Sequence, residues 1–130
     1  MTNSDEIALV QRFYGARGDR AVIDGVMSQD VVWDITPGWP HGTVYRGLDA
    51  VLEFLARVGQ EFSPVIARPE QFFADGAGHV TVLGHYAATG PSGRSADVRF
   101  THLWTIADGT ITRLDQTADT LLLEQLKEKQ

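Results

Sequence analysis

The chain has no cysteine. That excludes a disulfide framework, a thiol nucleophile and a Cys-based zinc site, and it accords with a reducing compartment, so a cytoplasmic location is expected. No run approaches the ~20 apolar residues of a membrane-spanning helix. The opening MTNSDEIALVQRF has neither the basic start nor the apolar centre of an export signal. Basic residues are scarce: eleven Lys and Arg stand against seventeen Asp and Glu, for a net charge of −6. They form no stripe, so neither a nucleic-acid backbone nor a membrane is an expected partner. Metal-ligand spacing is missing too. None of His41, His79, His85 and His102 forms a His-x-x-x-His pair, and His79 and His85, on one strand, are separated by roughly 20 Å. No metal and no cofactor is expected. There is no G-x-S-x-G nucleophile elbow and no phosphate-cradling glycine loop. The RGD within GARGD reads as a helix-ending turn.

What is present suits one domain over residues 1–130, with 43% hydrophobic residues to form its core. NSDEIALVQRFYGAR predicts a helix capped by Asn3 or Ser4, with Ile7, Val10, Phe13, Tyr14 and Arg17 at helical spacing and Gly18 ending it. DRAVIDGVM predicts a short second helix, DVVWDI a strand, and TPGWPHGTVYRG a loop. LDAVLEFLARVGQEF carries the clearest helical stripe, in Leu48, Val51, Leu52, Leu55 and Val58. After Pro64 the period changes to that of strands: PEQFFAD, GHVTVLGHYAAT, SADVRFTHLWTI and TITRLDQTA. The last two are joined by an Asp108–Gly109 hairpin signal, and Asp119 is placed to cap a final helix. Helices followed by an antiparallel meander make an α+β domain. A curved sheet closing over helices leaves a cone with one open end, a shape that supplies a pocket.

One strand raises a question. Val98, Phe100, His102, Trp104 and Ile106 share a face by alternation, while Asp97, Arg99, Thr101 and Thr105 share the other with Leu103. His102 is thus aimed at the interior, where an imidazole needs a hydrogen-bond partner or a chemical role. Alternation also points Asp34 away from Trp33 and Ile35, and Asp115 away from Gln116. Tyr86 shares a face with Val80 and Val82, either as a core tyrosine or with its hydroxyl in a pocket.

The order and spacing of VQRFYGARGD, DVVWDI, YRGLDAVLEFL, FFADGAGHVTVLGHY and HLWTIADGTITRLDQTADT resemble the nuclear transport factor 2-like superfamily, and more narrowly its SnoaL-like polyketide cyclase and ketosteroid isomerase-like group. The resemblance implies a cone-shaped α+β barrel, with N-terminal helices packed on a strongly curved, mainly antiparallel sheet. It also implies a pocket histidine at His102, where ketosteroid isomerases carry an oxyanion-binding aspartic acid. The cyclases' catalytic aspartate falls at Gln116, an amide that hydrogen-bonds but does not exchange a proton at neutral pH. The isomerases' helix-one tyrosine falls at Phe13, beside Tyr14, and their general-base aspartate at Ile35, beside Asp34.

The resulting site has His102 and Gln116 as its chemical groups. Gln116 is expected to accept from one ring nitrogen of His102 and leave the other nitrogen for a ligand. A structural role for this pair is the competing reading. The expected wall comprises Tyr14, Trp33, Trp39, Phe54, Tyr86, Phe100, Trp104 and Leu114. Trp39 and His41 lie in a Pro/Gly loop that is either a gate or a packed turn. Such a wall suits a hydrophobic, aromatic or polycyclic small molecule. Three functions fit: an isomerase or cyclase in which His102 polarises an enolate; a non-catalytic binder, favoured by the missing aspartate; and a dimeric interaction domain filling its own pocket. Superfamily habit implies a homodimer through the outer sheet face bearing Thr81, Leu83 and His85.

Overall fold

Strand alternation lays down one six-stranded sheet in the order β2-β1-β6-β5-β4-β3, seen in a computed structural model that describes residues 1–128. The strands are β1 (Met27–Asp34), β2 (Val44–Arg46), β3 (Val65–Ala74), β4 (His79–Thr89), β5 (Ser95–Ala107) and β6 (Thr110–Ala118). The helices are α1 (Asn3–Gly15), α2 (Arg20–Val26), α3 (Leu48–Glu61) and α4 (Thr120–Leu126). All neighbouring strands are antiparallel except β1 and β6, which run parallel. This is the curved α+β architecture expected from the sequence.

The local chemistry departs from the sequence reading in three places. Thr2, not Asn3 or Ser4, caps α1: its hydroxyl accepts from the Asp5 amide while the Asp5 carboxylate accepts from the Thr2 amide, a reciprocal arrangement that satisfies two end donors. β1 begins at Met27, three residues before DVVWDI, and is interrupted by an irregularity between Met27 and Val32 in its pairing with β6. The Pro/Gly loop hides a strand, because Val44–Arg46 pairs with Val32–Asp34. The expected Asp119 cap is present, its carboxylate accepting from the Leu122 amide at 3.1 Å.

Curvature of the sheet comes from β3 and β4. Pairing slips between Pro69 and Gln71, and Pro69 lies opposite Gly84. A bulge of this kind bends the strand and increases its twist. Gly84 is required there: a Cβ would come within 2.3 Å of the Arg68 carbonyl oxygen and 2.9 Å of the Phe100 ring. The concave face so formed is roofed by α1, which packs on β3, β4 and β6, while α3 closes over β1 and β2 and α4 lies against β5. α3 turns Leu48, Val51, Phe54 and Val58 into the core, while Leu52 and Leu55 of the predicted stripe are only partly buried against it and Phe54, outside that stripe, is buried instead.

Candidate functional site

β5 places its residues as alternation requires: Val98, Phe100, His102, Trp104 and Ile106 are buried. Register sets Val82, His102 and Gln116 in one row across β4, β5 and β6. α1 lowers Tyr14 onto this row from above. Tyr86, on β4, reaches it along the strand, its ring packed on Phe100 at 4.6 Å between centroids.

These groups form one hydrogen-bonded chain. His102 Nδ1 lies 2.6 Å from the Tyr14 hydroxyl and His102 Nε2 lies 2.6 Å from the Tyr86 hydroxyl. Trp104 Nε1 donates to the Tyr14 oxygen at 2.9 Å. Gln116 Nε2 donates to the Tyr86 oxygen at 3.0 Å. The orientation of that amide is set by Thr36, whose backbone N–H donates to Gln116 Oε1 at 3.2 Å and whose hydroxyl donates to it at 2.6 Å. His102 is 3% exposed, and burial away from any charged partner pushes its pKa down to about 3. Burial likewise raises both tyrosines above their ordinary range. At neutral pH the chain is therefore an uncharged imidazole between two uncharged phenols.

A neutral imidazole has one N–H and one acceptor nitrogen. One tyrosine thus donates to His102 and the other accepts from it. Each tyrosine oxygen already accepts from Trp104 or Gln116, which offer only N–H there. The tyrosine that accepts from His102 consequently keeps its own O–H with no acceptor in the chain. Tyr14 is buried at 7% exposure while Tyr86 is half-buried. An unmatched donor costs least where it can meet solvent or a ligand. With the N–H on Nε2, Tyr14 donates to Nδ1, Nε2–H donates to Tyr86, and the Tyr86 O–H is left over.

A cavity of about 400 Å³ lies against this chain. Its lining includes His102, Gln116, Tyr14, Tyr86, Trp33, Trp39, Phe54 and Leu114 from the expected set. Phe100 and Trp104 do not line it. Phe100 lies flat against His102, 3.8 Å between centroids, as a backing layer. Trp104 is covered by Phe13 at 5.0 Å and is engaged with Tyr14. Alternation gives their face correctly but not what covers them. The direct His102–Gln116 hydrogen bond expected from their register is absent, because Tyr86 stands between them, and no ring nitrogen of His102 is left for a ligand. Sequence reasoning missed Phe13, Arg17, Ile35, Val58, Ala67 and Leu123 as lining residues. The α3 stripe and the α1 spacing already carried the signal for Val58, Phe13 and Arg17.

The carboxylates lie elsewhere. Asp34 and Asp115 both bind Arg113, at 3.2 and 2.9 Å. Trp39 is buried, its Nε1 donating to Glu124 at 3.1 Å, and His41 meets Glu61. The Pro/Gly loop is thus fastened to α3 and α4 in this structure. Among the described residues no group of three or more His, Cys, Asp or Glu could hold a metal ion, and no helix is long and apolar enough to cross a membrane.

Comparison with known proteins places this geometry in context. Residues 10–114 match the family model of the SnoaL-like domain. No curated protein matches the chain. An NTF2-like protein of unknown function from Burkholderia pseudomallei is 25% identical and superposes with a TM-score of 0.87 over 99% of this chain and 100% of its own. TerC, co-crystallised with polyporic acid, is 29% identical, with a TM-score of 0.85 over 94% of this chain and 97% of its own. A provisionally designated SnoaL-like polyketide cyclase from a Jannaschia species is 19% identical, with a TM-score of 0.82 over 95% of this chain and 91% of its own, a likeness of fold.

Proposed function

From the premise that this chain belongs to the SnoaL-like domain family, we propose that it binds a hydrophobic, aromatic or polycyclic small molecule and polarises a carbonyl or phenolic oxygen of it, as an isomerase or cyclase does when an enolate develops. The observation that carries this reading is the hydrogen-bonded chain Tyr14–His102–Tyr86–Gln116 beside an aromatic cavity, which with the N–H on Nε2 leaves the Tyr86 O–H for a ligand. A ligand oxygen there receives a hydrogen bond from Tyr86, which is itself held by donors from His102 and Gln116. His102 serves as a neutral element that orients and polarises Tyr86 rather than as the group that itself polarises the enolate, as the sequence led one to expect. Removing one oxyanion donor of this kind typically lowers turnover by about 10²–10³-fold. Co-crystallisation of the relative TerC with polyporic acid supports an organic ligand for the fold.

One observation favours binding without turnover. No Asp or Glu lines the cavity, and Gln116 and Ile35 stand where the resemblance expects carboxylates, so no side chain there has the ordinary strength of a general base.

Exchange of α-protons in 2-tetralone for deuterium, followed by NMR, separates the two readings. Acceleration by the wild type that falls about 10²-fold in Tyr86→Phe supports enolate stabilisation. Saturable binding without acceleration supports the binder. Absence of binding by 2-tetralone and by 2-naphthol removes both.

A further inference from the structure

We propose that Arg17 is an anion-binding residue at the mouth of the cavity, and that the ligand therefore carries one acidic group, remote from the oxygen that meets Tyr86. The proposal rests on the reading of the cavity as a ligand site.

Arg17 is the only charged side chain at neutral pH among the cavity's lining residues. The other polar lining groups, Tyr14, Tyr86, His102 and Gln116, are uncharged and joined to one another. Arg17 belongs to no such cluster, and it is exposed where they are buried or half-buried, which puts it at the opening. Its charge is unspent: among the described residues it has no carboxylate within ion-pair distance. The neighbouring arginine behaves differently, since Arg20 takes up the local acids Asp49 at 3.0 Å and Asp24 at 3.8 Å.

The backbone adds a second observation. Arg17 sits just after α1 with φ +50°, followed by Gly18 at φ +82°. Glycine or asparagine usually occupies a left-handed position at a helix end, because a side chain there is sterically disfavoured. The guanidinium makes no hydrogen bond within the described residues that would offset this. A strained residue whose side chain lines a cavity and contacts no internal partner is the pattern of a binding residue. The chemistry selects the ligand class. A guanidinium recognises a carboxylate through two parallel hydrogen bonds. In a chain of net charge −6, a cation at the opening also reverses locally the repulsion that an acidic ligand would otherwise meet. The aromatic walls and the single cation limit that ligand to one acidic group.

Matched probes test this by calorimetry: 2-naphthol against 6-hydroxy-2-naphthoate, and 4-phenylphenol against the longer 4′-hydroxybiphenyl-4-carboxylate. In the wild type at least one carboxylate is expected to bind about tenfold more tightly than its neutral parent at low salt, with the preference fading at high salt. Arg17→Gln should abolish that preference, bringing each carboxylate to the affinity of its neutral parent in the same variant, and Arg17→Lys should keep part of it. Arg17→Gly, which relieves the left-handed strain, should fold at least as stably as wild type and still lose the preference. Persistence of the preference in Arg17→Gln overturns the assignment. Tight binding of the phenols with no carboxylate preference in the wild type overturns the anion site alone and leaves the cavity reading standing. Failure of all four probes to bind overturns both.

Discussion

The two faces of the sheet use histidine in opposite ways. On the inner face His102 is held by two phenols and meets no charge. On the outer face His85 lies between Glu70 at 2.8 Å and Asp97 at 3.7 Å, and His79 lies against Asp75 at 2.7 Å. The outer histidines have carboxylate oxygens as partners in solvent. His102, buried among neutral groups, stays uncharged at neutral pH and spends both nitrogens on hydrogen bonds. The difference shows why an inward histidine in a strand is poor evidence for acid–base catalysis by the imidazole itself. Burial beside the cavity also removes its ability to titrate near neutral pH, so in the proposed reading the group offered to a ligand is the hydroxyl it holds.

Acid should break this contrast most strongly. The folded-state pKa of His102 is depressed to about 3 from an ordinary value of about 6.5. Between these values the unfolded chain binds the proton and the folded one does not. The stability associated with the neutral imidazole is thus complete above about pH 6.5 and is lost as pH falls toward 3. At about 1.4 kcal/mol per pH unit, the loss reaches ~3 kcal/mol by pH 4. Urea unfolding of wild type and His102→Gln at pH 7 and pH 4 isolates this contribution, because the carboxylates depressed by hydrogen bonds, such as Asp5 and Asp75, titrate in both proteins. The wild type should lose ~3 kcal/mol more than the variant over that interval. Equal acid sensitivity in wild type and His102→Gln would mean that the imidazole takes up its proton in the folded state.

A substitution at neutral pH sharpens the same comparison at smaller scale. His102→Phe leaves the Tyr14 O–H without an acceptor, since its other partner, Trp104, can only donate. The expected loss is about 1–3 kcal/mol, read as a lower thermal midpoint. His85→Phe on the outer face should stay within about 0.5 kcal/mol of wild type. Equal losses at the two positions would show that the inner chain contributes nothing beyond volume.

Which parts of this were legible in the sequence follows from the range of each signal. Alternation along β5 put His102 inside, and the Asp108–Gly109 turn paired its strand with the one carrying Gln116, so their shared row was readable. The element order carried the family resemblance, and the match over residues 10–114 bears it out. What alternation does not contain is how far a side chain leans along its strand. Tyr86 lies opposite Val98 and still bonds His102 and Gln116, so it intercepts a contact that register alone predicts. The arrival of Tyr14 depends on how α1 crosses the sheet, a tertiary matter no local pattern records. That same crossing removes Trp104 from the cavity wall. β2 escaped notice for a simpler reason: three residues inside a Pro/Gly-rich stretch are too few to show a period.

The smallest effect is expected on the outer face, and its mechanism separates it from the inner chain. Arg113 binds Asp115 on its own strand and Asp34 on β1, and these two aspartates are register partners across the parallel β1–β6 pair. The arginine therefore keeps two like charges from facing each other unscreened. All three side chains are about 40% exposed, which holds the contribution to about 0–1 kcal/mol. Arg113→Gln should lower stability within that range, and 1 M NaCl should erase the difference, because screening at that salt acts over about 3 Å. Adding Asp34→Asn to Arg113→Gln removes the facing charge and should restore most of the loss. Neither the single nor the double variant should alter binding of 2-naphthol, since Arg113 and Asp34 lie outside the cavity lining. A loss that survives 1 M salt, or that Asp34→Asn fails to relieve, would mean that Arg113 acts through packing of its alkyl stem rather than through charge.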